Sequence, residues 1–170
     1  TNYLKPRIKK KKVIVFIAGG PNKYYDFNDE IIEKIFIQTK KNFINQGYQL
    51  IFIPSMRTPR ETVDKALIFF DNYQIIISDI DKKAYLSALS LADHIIVTCD
   101  STSMISEAAM TGRPIYVAQM PSIKKNIRFQ KFFELFKSLD IIKNLEDKVE
   151  EWSYKKLNET HRISGYIEKQ

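Results

Sequence analysis

The chain of 170 residues is poor in the side chains that bind metals or form cross-links. It holds one cysteine, Cys99, which cannot form an internal disulfide and fits a protein of the reducing cytoplasm. The two histidines, His94 and His161, have no cysteines or acids spaced around them in the manner of metal ligands. No apolar run approaches the ~20 residues of a membrane span, and no secretory leader is visible. We therefore expect a cytoplasmic protein without a metal site.

Glycine is also scarce, with 5 residues in the chain, and the phosphate-binding motifs built on glycine are missing. There is no GxGxxG fingerprint and no P-loop lysine motif, which argues against ordinary dinucleotide-binding proteins and P-loop nucleotide hydrolases. No suitable helix carries a Tyr-x-x-x-Lys pair either. An NAD-dependent epimerase or reductase is therefore the least favoured function, and we expect no cofactor.

Excess positive charge is confined to one end of the chain. The net charge is +7, but residues 1–12 hold six bases and no acid, which leaves 21 bases against 20 acids in residues 13–170. A nearly neutral remainder argues against a nucleic-acid-binding domain. We interpret residues 1–12 as a solvated basic tail or linker. The alternative is a contact of this tail with anionic lipid at the inner face of a membrane, or with an acidic partner.

Apolar segments typical of strands alternate with amphipathic segments typical of helices from residue 13 onward. A hydrophobic content of 44% is that of a globular protein, and the unbroken apolar run at 13–18 is typical of a central parallel strand. The alternation predicts an α/β fold: a Rossmann-like, doubly wound parallel sheet of order 3-2-1-4-5 in a single domain, 13–170. Strands are predicted at 13–18, 49–53, 73–77, 94–98 and 114–118, with a short sixth at 139–142, and helices at 28–46, 58–70, 81–91, 101–111, 124–138 and 158–168.

Three of the predicted helix ends carry capping signals. Gly47 follows the first helix and is typical of a left-handed C-terminal cap. Thr58 and Glu61 have the spacing of a capping box, with Pro59 between them at the first helical position. Asp81 is predicted to cap the third helix through its carboxylate. These signals fix where the loops between strands and helices begin and end.

The turn between the fourth strand and the following helix is the most informative part of the sequence. It holds Asp100, Ser101, Thr102 and Ser103. A helix N-terminus offers unpaired N–H groups and the positive end of the helix dipole, so such a turn binds an anion, most often a phosphate. Glu107 lies four residues after Ser103 on the same helix face, where it can accept hydrogen bonds from sugar hydroxyls beside that phosphate. The turn therefore predicts a nucleotide-binding site.

The predicted strand order places two unusual loops side by side. Strands one and four are neighbours where the winding of the sheet reverses, and ligands bind outside the carboxyl ends of such strands. The loops at 19–23 and 99–103 would then share one crevice, and Arg57 would supply positive charge for a diphosphate. The candidate ligand-binding residues are Gly19, Gly20, Asn22, Lys23, Arg57, Asp100, Ser101, Thr102, Ser103 and Glu107.

Each of these residues also has a purely structural interpretation. The adjacent glycines can serve a tight turn, and Ser101 or Thr102 can be an N-cap worth about 1 kcal/mol. Glu107 can be an exposed helix acid, and Arg57 can pair with Glu61. The functional interpretation is favoured because all of these residues are predicted to lie in one crevice.

The same loops carry a family resemblance. They resemble the mitochondrial-fission "elongated mitochondria" family, which has many bacterial members, in the segments 19–25, 57–59, 100–108 and 111–116, and the segments 152–154 and 157–160 match its tail. The family is similar to GT-B glycosyltransferases, whose C-terminal Rossmann-like domain binds a nucleotide sugar. The resemblance, which covers about residues 13–167, implies that Ser101 and Ser103 contact the diphosphate and that Glu107 contacts the ribose.

Two positions depart from the family pattern, and a larger part is missing. Met56 stands where a second basic or polar residue usually precedes the arginine, and 83–85 reads Lys-Ala-Tyr in place of Asn-Pro-Tyr. Family members have a preceding N-terminal half, which we expect this chain to lack. That half is an expected partner, and the general base of a transfer reaction is expected there, so no catalytic residue is assigned.

The resemblance implies the donor-nucleotide-binding domain of a GT-B-like glycosyltransferase, with a nucleotide diphosphate sugar as substrate and neither cofactor nor metal. We expect the isolated chain to bind its donor weakly and to transfer no sugar, because the acceptor wall would come from the N-terminal half. The alternative is a non-enzymatic adaptor at a membrane surface, because plant members of the family act in organelle division. In that case the nucleotide crevice is a relic of the fold.

Overall fold

The computed structural model describes residues 3–145 and 149–155, which form an α/β domain around one parallel sheet. Its strands are β1 (Lys12–Ile17), β2 (Tyr48–Ile53), β3 (Ile75–Ile76), β4 (His94–Thr98), β5 (Ile115–Ala118) and β6 (Ile142–Asn144). Its helices are α1 (Asp29–Asn42), α2 (Arg60–Phe69), α3 (Lys82–Leu91), α4 (Thr102–Ala109) and α5 (Ile127–Ser138), with 3-10 turns at Lys5–Arg7 and Ile44–Gln46. None of the described helices is long and apolar enough to cross a membrane.

The strand order is β3-β2-β1-β4-β5-β6, with every pairing parallel. This confirms the predicted Rossmann-like, doubly wound sheet and its order 3-2-1-4-5. The sixth strand is present beside β5, but it begins at Ile142 rather than at residue 139. The chain adds β2 and β3 on one side of β1 and then β4, β5 and β6 on the other. The carboxyl ends of β1 and β4 therefore mark the edge of the sheet at which a ligand is predicted to bind.

The core is built on the inner strands β2, β1 and β4, whose side chains are buried on both faces of the sheet. Phe16 of β1 lies beside Phe52 of β2 in the strand register, and their rings stack with centroids 5.6 Å apart. Phe36 of α1 packs edge-on against Phe16, also at 5.6 Å. All three side chains are fully buried. Because helices cover both faces of a parallel sheet, an unbroken apolar run such as 13–17 is required.

Two of the predicted helix ends are confirmed and one is wrong. Gly47 adopts the left-handed conformation, with φ of 95°, after the short turn that ends α1, and the Asp81 carboxylate accepts a hydrogen bond from the Ala84 N–H at 3.1 Å. The capping box at Thr58 does not form. Its hydroxyl accepts from the Ser55 N–H at 2.8 Å and donates to the Gly19 carbonyl at 2.8 Å. The hydroxyl therefore joins the loops after β1 and β2.

The segment before β1 differs from the expected solvated tail. Its lysine side chains are exposed, but Leu4 is buried in the core, and the Leu4 N–H donates to the Ser87 hydroxyl at 2.9 Å. The Gln49 side chain accepts from the Lys9 N–H at 2.6 Å and donates to the Arg7 carbonyl. Residues 3–11 therefore pack against the domain, and the apolar Leu4 ahead of the run of bases is the sequence signal that indicates this.

A second segment, residues 149–155, packs along the β5 side of the sheet. The Tyr116 hydroxyl accepts from the Glu150 N–H at 2.7 Å and donates to the Glu150 carbonyl at 3.0 Å. The Trp152 indole packs edge-on against Tyr116 and donates to the Asp140 carbonyl at 2.8 Å. The closing helix predicted at 158–168 lies outside the described residues.

Candidate functional site

The loops after β1 and β4 meet at the carboxyl edge of the sheet, as the strand order predicts. The Gly19 N–H donates to the Thr98 hydroxyl at 2.8 Å, and the Gly20 N–H donates to the Asp100 carboxylate at 3.0 Å. These two N–H groups are therefore occupied by contacts within the protein. The loops pack against each other rather than leaving a crevice between them.

Asp100 is the centre of this loop packing. Its side chain is fully buried, and its Oδ2 lies 2.7 Å from Nη2 of Arg57. The Arg57 side chain is 43% exposed and also donates from Nη1 to the Gly20 carbonyl at 3.2 Å. Oδ1 of Asp100 is buried and has no hydrogen-bond partner within the described ranges. Asp100 therefore holds the loops after β1, β2 and β4 together and is shielded from any ligand.

Both glycines of the β1 loop are required by close packing rather than by a turn. A methyl group on Gly19 would collide with the Asp100 carboxylate, and one on Gly20 would collide with the Arg57 carbonyl. Neither glycine has a positive φ. The absence of a side chain therefore lets the β1 loop approach its two neighbours.

A cavity of about 390 Å³ opens beside these packed loops, on the β2 side of Arg57. It lies between the loop after β2, the start of α3 and the first two turns of α4. Its volume is within the range of roughly 300–1,000 Å³ found for small-molecule sites. Its walls combine apolar side chains with a few polar ones, and the lining residues are Ile53, Pro54, Ser55, Met56, Arg57, Ile80, Asp81, Lys82, Tyr85, Ser101, Ser103, Met104 and Glu107.

The start of α4 forms one wall of this cavity. Ser101 is the N-cap residue, but neither its hydroxyl nor another side chain within the described ranges caps the first turn. The Ser101 side chain is buried, whereas Ser103 and Glu107 are exposed to the cavity. An uncapped N-terminus keeps its unpaired N–H groups and the positive dipole end available for an anion.

Glu107 is held in place by Tyr85, a residue of α3 that the sequence did not single out as part of the site. The Tyr85 hydroxyl donates to Glu107 Oε2 at 2.8 Å across the cavity wall. Burial and this hydrogen bond both raise the pKa of Tyr85 well above its usual value. The phenol therefore stays protonated and acts as a donor. The spacing of Tyr85 four residues after the Asp81 cap could have placed it on the site-facing side of α3.

The cavity contains a second cation besides Arg57. Lys82, the first residue of α3, lines the cavity and forms no ion pair with an acid of the described residues. Arg57, by contrast, is already paired with Asp100. Lys82 therefore contributes more uncompensated positive charge to the cavity than Arg57 does.

Several of the predicted site residues do not line the cavity. The Asn22 side chain accepts hydrogen bonds from the N–H groups of Tyr24 and Tyr25, at 2.9 and 3.0 Å, which closes a local turn. Lys23 lies over the Tyr24 ring at 5.3 Å. The predicted residues that are not part of the lining are Gly19, Gly20, Asn22, Lys23, Asp100 and Thr102. Those that the structure brings together around the cavity are Arg57, Ser101, Ser103 and Glu107.

Cys99 lies directly beneath this edge, fully buried at the end of β4. Burial, with a smaller contribution from the nearby Asp100 carboxylate, raises the pKa of its thiol to about 12. The thiol is therefore protonated at neutral pH and is not a nucleophile. Its place in the fold is that of a small core side chain.

The fold is similar to that of two solved nucleotide-sugar enzymes. One is the UDP-GlcNAc 2-epimerase from Neisseria meningitidis bound to UDP-GlcNAc, with a TM-score of 0.51 and 16% identity over 96% of this chain and 40% of that chain. The other is a putative UDP-N-acetylglucosamine 2-epimerase from Listeria monocytogenes, with a TM-score of 0.50 and 15% identity over 85% of this chain and 43% of that chain. At these identities the likeness establishes a Rossmann-like fold alone.

Curated relatives are found by sequence as well. The uncharacterized protein RP120 of Rickettsia prowazekii (strain Madrid E) is 31% identical over 166 residues, which cover 92% of this chain and 46% of that protein. The mitochondrial fission protein ELM1 of Arabidopsis thaliana is 37% identical over 87 residues, which cover 51% of this chain and 20% of that protein. The chain thus matches less than half the length of either relative. Because the family model for mitochondrial fission ELM1 matches residues 2–170, this chain belongs to the mitochondrial fission ELM1 family.

Proposed function

We propose that this chain is the donor-nucleotide-binding domain of a GT-B-like glycosyltransferase that uses a nucleotide diphosphate sugar. The observation that supports this most strongly is the uncapped N-terminus of α4 facing a cavity of about 390 Å³, with Glu107 on the same wall. The N–H groups and dipole of α4 attract a diphosphate. The carboxylate of Glu107 lies one helical turn after Ser103, within reach of a ribose bound beside that diphosphate.

The cations and hydroxyls of the cavity have distinct tasks in this proposal. Lys82 neutralises the diphosphate as a mobile point charge, and the Ser103 hydroxyl hydrogen-bonds a phosphate oxygen. Asp100 already neutralises much of the charge on Arg57, so the main task of Arg57 is to hold the loop after β2 beside α4. The apolar side chains Ile80 and Met104 offer a surface for the nucleobase.

The chemistry that this domain contributes is stabilisation of the leaving group. When a sugar leaves a nucleotide diphosphate, negative charge grows on the diphosphate oxygens. Fixed N–H groups at that position stabilise the charge without having to reorient, which lowers the barrier to transfer, and the Lys82 ammonium adds to this stabilisation. In this proposal the base that activates the acceptor belongs to the part of the longer relatives that this chain does not match. We therefore propose that residues 1–170 alone bind a donor without transferring its sugar.

Thermal unfolding in the presence of UDP, GDP, ADP and CMP, with and without attached sugars, tests the binding proposal. A ligand at 100 times its dissociation constant adds about 2.7 kcal/mol to the free energy of unfolding. One nucleotide should raise the melting temperature, and Glu107→Ala should remove most of that rise. Glu134→Ala, which removes an exposed glutamate of α5 away from the cavity, is the matched control and should leave the rise intact.

Failure of every nucleotide to raise the melting temperature at millimolar concentration would reject the donor-binding proposal. The adaptor hypothesis, in which the cavity is a relic and the outer surface binds a partner, would then replace it. A rise that persists unchanged in Glu107→Ala would mean that nucleotides bind elsewhere on the protein.

A further inference from the structure

The loop between β5 and α5 and the first turns of α5 combine exposed aliphatic side chains with positive charge. Ile123 is 64% exposed and Ile127 is 60% exposed. Residues 119–133 contain four bases and no acid. We define the basic–aliphatic patch as Lys23, Ile123, Lys124, Lys125, Ile127 and Lys131.

The backbone that carries the two isoleucines is held in place by hydrogen bonds and ring packing, so their side chains point outward. The Ile123 N–H donates to the Tyr24 carbonyl at 2.7 Å, and the Tyr25 ring stacks on Phe129 with centroids 5.8 Å apart. Asn126 caps α5 by accepting hydrogen bonds from the first-turn N–H groups, so Ile127 begins a well-formed helix. Neither isoleucine can turn into the core without breaking these contacts. Their exposure is therefore built into the backbone.

The charge of the patch is available for a partner. Lys124, Lys125 and Lys131 are exposed and form no ion pair with an acid of the described residues. Lys131 lies one helical turn after Ile127 on the same face of α5. Two acids lie near the patch: Asp26, whose N–H donates to the Pro121 carbonyl, and Glu134, three residues after Lys131 in α5. The patch therefore keeps a net positive charge around its two apolar side chains.

We propose that the basic–aliphatic patch docks this domain on an anionic lipid bilayer. Lysines around protruding aliphatic side chains match a surface of anionic headgroups over hydrocarbon, with the lysines at the headgroups and the isoleucines below them. The patch lies at the carboxyl edge of the sheet, which is also the edge of the cavity. Docking would place the cavity beside the membrane surface. The inference does not depend on whether a nucleotide binds.

The basic–aliphatic patch and the basic residues 1–12 lie at opposite edges of the sheet. Lys9 and Lys10 precede β1 at the amino edge of the sheet, whereas the patch follows β5 at the opposite edge. A strand of six residues spans about 20 Å, which exceeds the Debye length of about 8 Å at physiological salt. The two clusters therefore lie at opposite edges of the sheet, too far apart for the charge of one to act at the other. Removing two lysine charges from one cluster or from the other therefore shows which of them binds the bilayer.

Co-sedimentation of the full chain with vesicles tests the proposal. We expect binding to vesicles of phosphatidylcholine mixed with phosphatidylglycerol, weak binding to phosphatidylcholine alone, and loss of binding in high salt. A Lys or Arg near an anionic surface contributes about fivefold in affinity, so Lys124→Gln/Lys125→Gln should weaken binding by roughly 25-fold. The matched control, Lys9→Gln/Lys10→Gln, should change it by less than about twofold.

A second readout detects insertion of the aliphatic side chains. Ile123→Trp should show a blue shift of tryptophan emission, above the background of Trp152, on anionic vesicles only. An acidic protein or a nucleic acid would not produce that shift. The proposal is overturned if the parent chain does not bind anionic vesicles, or if Lys9→Gln/Lys10→Gln weakens binding more than Lys124→Gln/Lys125→Gln. It is also overturned if the tryptophan emission of Ile123→Trp does not shift on anionic vesicles. All the substituted side chains are exposed, so each variant should keep the melting temperature of the parent.

Discussion

The Arg57 guanidinium lies 2.7 Å from a buried carboxylate oxygen of Asp100, and this ion pair joins the loops after β2 and β4 at the ligand edge of the sheet. The two partners are unequally exposed: 43% of the Arg57 side chain is accessible, and none of the Asp100 side chain is. The same Asp100 oxygen accepts the Gly20 N–H, so the loop after β1 joins the contact. Three loops from three neighbouring strands thus depend on one carboxylate.

This unequal burial predicts that removing the cation destabilises the fold more than neutralising the anion. Arg57→Met leaves a buried, unpaired carboxylate and should lower the free energy of unfolding by about 3 kcal/mol. Asp100→Asn leaves a half-exposed guanidinium that water can solvate, and should cost about 1 kcal/mol. Urea denaturation of the two variants measures both values.

The exposed pair of Arg60 and Asp64 provides the control for this comparison, because both side chains are more than half exposed. Arg60→Met should change stability by less than about 0.5 kcal/mol. If Asp100→Asn proves more damaging than Arg57→Met, the interpretation of Asp100 as a buried charge that needs its partner is wrong.

A second prediction concerns the close approach of the β1 loop to its neighbour. Gly20→Ala places a methyl group against the Arg57 carbonyl, which is backbone and cannot move aside. We expect a loss of about 3 kcal/mol. Gly47→Ala is the control: it meets no atom within 4 Å but must keep a φ of 95°, which costs about 1 kcal/mol. Equal losses in the two variants would mean that the loop relaxes around the methyl group.

The strand order was predictable from the sequence because it depends on burial along whole segments. A run such as 13–17 must lie inside a sheet covered on both faces, and five such runs separated by amphipathic helices leave few topologies. Short strands are harder: β3 has two residues, although the apolar pattern predicts five. The edge of a sheet needs fewer buried side chains, so its limits are weakly marked in the sequence.

The candidate site was only partly predictable, because its details depend on side-chain hydrogen bonds between distant loops. The hydroxyl and carboxylate pattern of 101–107 correctly indicated the helix terminus that lines the cavity. Thr58 matched a local capping motif, yet its hydroxyl bonds the loop after β1, about 40 residues away in sequence. The spacing of Tyr85 after Asp81 indicates the face of α3 on which it lies, but not that its hydroxyl bonds Glu107. Contacts of this kind follow from the packed fold rather than from spacing.

A third prediction concerns stability at high pH. Burial is the main reason that the pKa of Tyr48 is raised from 10.0 to about 12, and the Glu151 carboxylate contributes to the rise. Between these two values the unfolded chain has lost the phenolic proton and the folded chain keeps it. The folded state then binds more protons, so stability falls as the pH rises from 10 to about 12, by at most about 1.4 kcal/mol per pH unit for this group.

Denaturant titrations of the parent and of Tyr48→Phe between pH 9 and pH 12 isolate this contribution. The phenylalanine variant should lose less stability across the range, because one titrating group is gone. Curves that stay parallel over the whole range would show that Tyr48 has the same pKa in the folded and unfolded chains.

A fourth prediction tests whether Tyr85 positions Glu107 for a ribose. Tyr85→Phe removes the hydroxyl that donates to Glu107 at 2.8 Å and leaves the ring in place. The freed carboxylate becomes more mobile, so we expect ribonucleotides to bind about fivefold more weakly. Deoxyribonucleotides, which lack one of the hydroxyls, should lose less. Calorimetric titration with both kinds of nucleotide measures the difference, and equal losses would assign Tyr85 to packing alone.

The last prediction concerns which cation neutralises the diphosphate, and two adjacent lysines of α3 allow a matched test. Lys82 lines the 390 Å³ cavity, whereas Lys83, the next residue, lies outside it. Both are exposed and neither forms an ion pair with an acid of the described part of the chain.

A charge-assisted contact contributes about 1.5 kcal/mol, so Lys82→Gln should weaken nucleoside diphosphate binding about tenfold. Lys83→Gln should leave binding within about twofold, because Lys83 lies outside the cavity and solvent screens its charge from the diphosphate. Nucleosides without phosphate should bind both variants as they bind the parent, since the lysine acts on charge. Equal weakening by the two substitutions would show that the diphosphate is attracted by the general field of α3 and not by a contact in the cavity.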